Sequence, residues 1–336
     1  MILAETGVSV FSSLFENFWV VLLLKTVAVM GFFLVVPLGV GYVEHKGLAH
    51  MQARLGPMEA GAFHGWAQLV ADGVKFIQKE DVIPAAADAW VFSLAPAVAL
   101  VPYILLFVVI PFSDEIFILN LDVGIFFVLA LSSVSVIGVL MAGWASANKF
   151  SLIGALRAAA QLIAYELPLV LGAAAIVMQA GTLSMVGIVQ AQEKYWFVFS
   201  QPIGFLIFLT ASLAELTRPP FDMPVADSEI IFGAYTEYTG LKFAFFLLAE
   251  YGGIVALSAI ASVLFLGGYL PLPAMEFIPE PLWMLAKIGA LSFLIIWLRV
   301  TYPRLREDQL QRVSWLLLIP LALVQIVVVG VFKVAF

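Results

Sequence analysis

Eight long apolar runs, each nearly free of charge, divide the chain: 18–42, 90–112, 122–146, 154–180, 200–217, 242–268, 283–301 and 314–335. A helix rising about 1.5 Å per residue needs about 20 residues to cross hydrocarbon about 30 Å thick, so each run predicts one crossing. The runs are continuous and do not alternate, which speaks against barrel strands. A shorter stretch has a different pattern. Phe63, Trp66, Val70, Val74 and Ile77 fall on one arc of a 3.6-residue helix, and His64, Gln68, Asp72, Lys75 and Lys79 on the other. That segment is too polar to span and predicts a helix lying along the membrane surface or against a docked partner. It is either a plain interfacial anchor or a helix whose Asp72 and Lys75 look into a cavity, and the periodicity favours the first. The expected fold is therefore all-α and membrane-integral. One polytopic domain covers 1–336, with the amphipathic helix in a loop at 43–89 and a second, acidic, proline-broken loop at 218–241. The opening MILAETGVSV has no basic region, so the first apolar run reads as a retained span.

Composition strengthens this picture. The chain is 63% hydrophobic and 12% charged, against about 45–50% and about 25% in soluble domains. Twelve of its sixteen basic residues fall in the loops after the first, third, fifth and seventh runs or at the adjoining helix ends; Lys25, Lys194, Lys287 and Lys333 are the others. By the positive-inside rule those loops face the cytoplasm, or the matrix or stroma in an organelle, and both termini face away. The net charge of −7 and the lack of a basic cluster argue against nucleic acid. With no cysteine, the chain cannot hold an iron–sulfur cluster through thiolates. Nor does it show an internal repeat of the kind that marks many transporters.

Against this background a few charges stand out, because a charge at membrane depth costs about 2.5–3.5 kcal/mol on insertion scales. Glu166 and Glu250 fall inside the fourth and sixth runs, and Glu215 ends the fifth. The first two are either neutral hydrogen-bonding groups between helices or members of a proton path; depth favours the path. Gln161, Tyr165, Glu237 and Tyr238 could carry water between them. Glu215 and Arg218 are three apart, a helical spacing that allows a local ion pair. Pro168 should free a main-chain carbonyl for a cavity or a water to satisfy. In AELTRPPFDMPVADSE, residues 214–229, three prolines break the helix among four carboxylates and an arginine. Irregular, charged backbone at the membrane face needs a cavity or a covering partner.

Several motifs in order carry a family resemblance: EHKGLAHMQARLGPMEAG at 44–61, ADGVKFIQKED at 71–81, and GWASANKFSLIGALRAAAQLIAYELPL at 143–169. They continue with AELTRPPFDMPVADSEIIFGAYTEYTG at 214–240, FFLLAEY at 245–251 and WLRVTYPRLREDQL at 297–310. The chain resembles the family of membrane H subunits of proton-pumping NADH–quinone oxidoreductase, respiratory complex I, the counterparts of mitochondrial subunit 1. The resemblance implies a quinone-access tunnel, with quinone as substrate. FMN and iron–sulfur clusters would sit in partner subunits of a peripheral arm, including the quinone-site and terminal iron–sulfur subunits. Antiporter-like and small membrane subunits would be the other partners, beside lipid. By motif, an acidic relay would comprise Glu215, Asp227, Glu229, Glu250 and Glu166, with Asp72 and Glu237. Arg54, Glu44, Lys46, Arg218, Asp222 and Arg299 would shape the tunnel and its loops. No metal ligand is implied in this chain.

The implied location is the bacterial inner membrane with periplasmic termini, or an inner or thylakoid membrane if organellar. Two departures stand against the family pattern: His45 replaces a more usual arginine, and Val225 stands where many relatives carry a glutamate. His45 is expected at the surface or in packing. Related chains serve ferredoxin-linked complexes or membrane-bound hydrogenases, and the buried carboxylates alone would also suit a stand-alone proton-coupled transporter.

Overall fold

The computed structural model describes residues 18–335 except 226, 273, 274 and 276. Its elements are all helical. Long helices are α1 (Phe18–Met51), α3 (Ala89–Leu106), α4 (Gly124–Ala145), α5 (Lys149–Ala180), α10 (Gly240–Phe265) and α11 (Glu280–Thr301). The seventh runs from α12 (Glu307–Arg312) through a π turn, Val313–Leu318, into α13 (Ile319–Ala335). Short helices complete the set: α2 (Gln68–Gln78), α6 (Met185–Gln190), α7 (Phe197–Ser200), α8 (Pro202–Glu215) and α9 (Asp227–Ile230). Among the described residues, seven helices are long and apolar enough to cross a membrane. The chain is an all-α, multi-pass integral membrane protein.

The eighth apolar run departs from the expected single span; it is the fifth in chain order. Expected over 200–217, it forms only the 14-residue α8, with the one-turn α7 ahead of it and Gln201 between them. At 1.5 Å per residue α8 reaches only about 21 Å, and the polar groups of the buried Gln201 before it need protein partners. They find them in other amides: Gln201 Nε2 donates to Gln179 Oε1 at 2.5 Å, and Gln325 Nε2 donates to Gln201 Oε1 at 2.8 Å. Pro202 suits the first position of α8, where an amide hydrogen has no helical acceptor.

Prolines inside spans are handled by the same logic. A proline removes the bond to the carbonyl four residues earlier. Pro168 thereby frees the Ala164 carbonyl, and the buried Ser314 hydroxyl donates to it at 2.5 Å. A serine from the π turn takes the place expected of a cavity or water. Pro96 likewise frees the Phe92 carbonyl, which accepts the Tyr238 hydroxyl at 3.0 Å. The Tyr238 and Phe92 rings stack with centroids 4.0 Å apart. The first repair joins two spans and the second ties a span to a connecting segment, each far away in sequence.

α1 and α5, with 34 and 32 residues, are about 51 and 48 Å long at 1.5 Å per residue. Both exceed the hydrocarbon thickness. α1 passes the expected end at 42 and carries Glu44, His45 and Lys46 on its extension. At the opposite end of the bundle, Lys25 donates to the Ile118 carbonyl at 2.9 Å and Lys333 to that of Met178 at 2.7 Å. Lys287 is buried, with Nζ donating to the carbonyls of Leu266, Gly268 and Leu270 at 2.8, 2.7 and 2.7 Å. Its ammonium also lies 4.4 Å from the Trp196 ring centroid. These three lysines bind main chain, much of it at helix ends where carbonyls lack helical partners.

Lys287→Met keeps the stem and removes three charge-assisted bonds. It should destabilise the fold by at least about 2–3 kcal/mol, read as a lower unfolding midpoint of the detergent-solubilised protein. An unchanged midpoint would show that the three carbonyls need no cation.

Candidate functional site

The 218–225 segment, broken by Pro219, Pro220 and Pro224, does not lie in the open. Arg218 is 1% exposed, although it follows the last turn of α8 by only three residues. Its Nη1 donates to Glu44 Oε2 on the α1 extension, and its Nε forms an ion pair with Glu250 Oε1 of α10 at 2.8 Å. Arg299, in the last turn of α11, donates from Nη1 to the other oxygen of Glu44. The Arg218 guanidinium also lies 4.8 Å from the Tyr251 ring centroid. Two arginines and two carboxylates thus form a set with no net charge. Burial by itself would lower the Arg218 pKa, but Glu250 and Glu44 outweigh it and hold the guanidinium above its ordinary range.

The expected Glu215–Arg218 pair does not form among the described residues. Such a pair requires a continuing helix, but α8 ends at Glu215 and Thr217 is left-handed, with φ 51°. The backbone turn sends the two side chains to different partners. Glu215 instead lines a cavity of about 240 Å³ together with Arg218, Asp222, Glu250 and Arg299. Glu215 Oε2 is buried there without a hydrogen-bond partner among the described residues.

A second cavity, of about 410 Å³, opens between α1, α2 and α10. Leu34, Leu69, Phe76 and Leu248 give it apolar walls, and Leu34 and Leu38 also face outward on α1. His45, Asp72 and Lys75 form its polar edge. Asp72 accepts from Lys75 and Gln68, each at 3.3 Å. The amphipathic helix therefore does present Asp72 and Lys75 to a cavity, the alternative that periodicity had disfavoured. His45, expected at the surface or in packing, lines it too. Leu247 and Tyr251 line both cavities.

The remaining candidates lie outside this cluster. Glu166 accepts from the Ser133 hydroxyl between α5 and α4. Glu237 accepts from Asn148 at 2.5 Å. Glu229 pairs with Arg157 at 2.5 Å, and that hydrogen bond holds its carboxyl below the ordinary range. Lys46 donates to the Pro57 and Leu55 carbonyls and so pins the loop after α1. Arg54 is exposed, bonds Gln52 at 2.7 Å and lines neither cavity. The Asp227 side chain lies outside the described part of the chain. Arg304 donates to the Asp222 carbonyl.

Two cavity residues were not expected from the sequence. Tyr103 and Ser135 line the charged cavity, and the Ser135 hydroxyl donates to the Tyr103 oxygen at 3.2 Å. The available signal was LSSVSV at 131–136, three serines within an otherwise apolar span. Val225, one of the two departures, also lines this cavity and leaves its wall apolar at that point.

The family model described as NADH dehydrogenase matches residues 24–330. The chain is similar to the H subunit of NADH-quinone oxidoreductase from Bacillus mycoides, 46% identical over 309 residues, covering 92% of each chain. The corresponding Bacillus cytotoxicus protein is 45% identical over 328 residues, 97% of each chain. That of Geobacillus kaustophilus is 46% identical over 293 residues, 87% of this chain and 88% of its own.

The Arg157–Glu229 pair sets a pH dependence. A carboxyl held low contributes stability above its ordinary pKa near 4.5 and loses it as pH falls through the lowered value. Glu229 is 45% exposed in its side chain, so solvent screening limits the pair to about 0–1 kcal/mol. Wild type and Glu229→Gln should differ slightly in unfolding midpoint at neutral pH and converge in acid. A difference that grows below the carboxylate range would refute the pairing.

Proposed function

The chain belongs to the NADH dehydrogenase family, as a relative of the H subunit of NADH-quinone oxidoreductase, and on that premise we propose how it serves the quinone reaction. The apolar cavity between α1, α2 and α10 admits a quinone from the lipid, tail and headgroup together. The headgroup passes Asp72, Lys75 and His45 on its way inward. The charged cavity beyond Tyr251 senses the reduction and relays it to proton movement. The observation that carries this reading is the shared wall: Leu247 and Tyr251 line both the lipid-side cavity and the one holding Glu215 and Glu250.

The chemistry suits the parts. Quinone reduction to quinol takes two electrons and two protons. The electrons come from FMN and iron–sulfur clusters in partner subunits, as the family resemblance implies; this chain has no cysteine to ligate a cluster. This chain's residues act on charge. A quinone that gains negative charge near the cavity shifts the balance of Glu44, Arg218, Glu250 and Arg299, and the buried Arg218–Glu44 pair at its centre responds sharply to an added charge. Glu215, with a buried oxygen lacking a partner among the described residues, is the carboxyl best placed to exchange a proton with the cavity. Glu166, beside Ser133, continues the relay along α5, with Glu229 and Glu237 further members and Asp227 joined to them by the family motif alone. Arg54 and Lys46 shape the loop after α1 where the peripheral arm docks.

The loops at 43–89 and 218–241 face the cytoplasm of a bacterial inner membrane, with both termini periplasmic. The asymmetric distribution of basic residues supports this orientation.

Two substitutions test the reading. A side chain added at Gly73, which lines the lipid-side cavity, meets nothing within 4 Å of its Cβ. Gly73→Leu should therefore fold normally and raise the quinone KM by about tenfold through lost pocket space; an unchanged KM would remove this cavity from the quinone path. Glu250→Gln should lower quinone reduction and proton pumping together by at least about tenfold in the assembled complex. Wild-type turnover and pumping would take Glu250 out of the mechanism.

A further inference from the structure

Helix α5 turns one stripe of side chains, Arg157, Gln161 and Tyr165, towards two segments beside the charged cavity. Residues four apart share a helical face. At one end of the stripe Arg157 holds Glu229 at 2.5 Å. At the other, the Tyr165 hydroxyl donates to the Leu310 carbonyl at 2.9 Å. Between them Gln161 is 1% exposed, and its Nε2 donates to both the Ala214 and the Phe221 carbonyls at 2.6 Å.

Those two carbonyls bracket residues 215–220, the stretch that carries Glu215 and Arg218. The Ala214 carbonyl, in the last turn of α8, also accepts the Thr217 amide at 3.1 Å. The Phe221 carbonyl lies three residues before Pro224, which has no amide hydrogen to give it. One side-chain amide thus joins the two ends of the turn. Thr217 within it is left-handed, at φ 51°, a conformation that costs a non-glycine residue energy and persists only where its surroundings enforce it.

Gln161 Oε1 is buried and accepts no hydrogen bond from the described residues. An amide buried with its oxygen unpaired is a poor choice for packing alone, because an apolar side chain of similar size carries no such desolvation cost. The two donated bonds are what a glutamine adds here.

We infer that Gln161 is a positioning residue: it holds both ends of the 215–220 turn so that Glu215 faces the cavity while Arg218 lies between Glu44 and Glu250. It does not line either cavity and acts through main chain alone. The inference rests on the reading of the charged cavity as the coupling site for quinone reduction.

The test uses the whole complex in membranes, with Gln161→Leu, Gln161→Asn and Gln161→Glu compared per assembled complex. Leucine loses both bonds, while asparagine, one methylene shorter, cannot span both carbonyls. The leucine variant should lose about tenfold to a hundredfold in kcat/KM for a short-chain quinone, the scale of a small misplacement of reacting groups. Asparagine should lose less, and the pH profile of turnover should change shape in both. A purely structural glutamine would lower the amount of complex yet leave kcat, KM and pH profile at wild-type values, which would overturn the inference. Should Gln161→Leu fail to assemble, wild-type kinetics in the two polar variants would overturn it equally. Glu250→Gln is the reference: if it is impaired and the Gln161 variants are not, only the positioning role fails. If Glu250→Gln is itself unimpaired, the reading of the cavity fails.

Discussion

Everything at the basic end of this protein turns on the burial of Arg218. A guanidinium 1% exposed cannot remain there without opposite charge, because breaking a buried pair costs about 3–5 kcal/mol. Glu44 from α1 and Glu250 from α10 meet that need, and Arg299 from α11 then balances Glu44. Three spans and one loop are thereby committed to a common point. The proline-broken segment after α8 is part of the bundle's electrostatic core and not a free hinge.

A second constraint runs through the whole molecule: in lipid, every main-chain carbonyl without a partner must find one inside the protein. Prolines and helix ends create such carbonyls, and side chains from remote segments answer them. Ser314 serves Pro168's orphan, Tyr238 serves Pro96's, and Lys287 serves three at the end of α10. Gln161 joins the Ala214 and Phe221 carbonyls across one turn. These bonds fix remote segments against spans. The result is a polar site held by a hydrogen-bond framework within an otherwise apolar bundle, where low dielectric strengthens each bond.

Much of the candidate site was legible one residue at a time. Glu215, Arg218, Asp222, Glu250 and Arg299 were each singled out from sequence, and the structure places them around one cavity. Their pairings were not legible. Glu215 and Arg218 looked like partners only on a continuous helix, and a single left-handed residue sent them apart. Glu44 and Arg218, 174 residues apart, could be joined only by packing. Arg54 matched a motif as strongly as Arg218 did, yet in this chain it sits at the surface, away from both cavities.

The sequence by itself determined the number and approximate place of the apolar helices and the amphipathic character of α2. Lipid imposes those features locally: hydrocarbon thickness fixes run length, and charge is excluded from each run separately. The tertiary structure alone decided that the fifth run forms only the short α8, which groups satisfy the prolines' carbonyls, and that α2 turns Asp72 into a cavity. Those outcomes depend on which helices touch. Contacts between polar groups hundreds of residues apart follow from three-dimensional packing, and no local period records them.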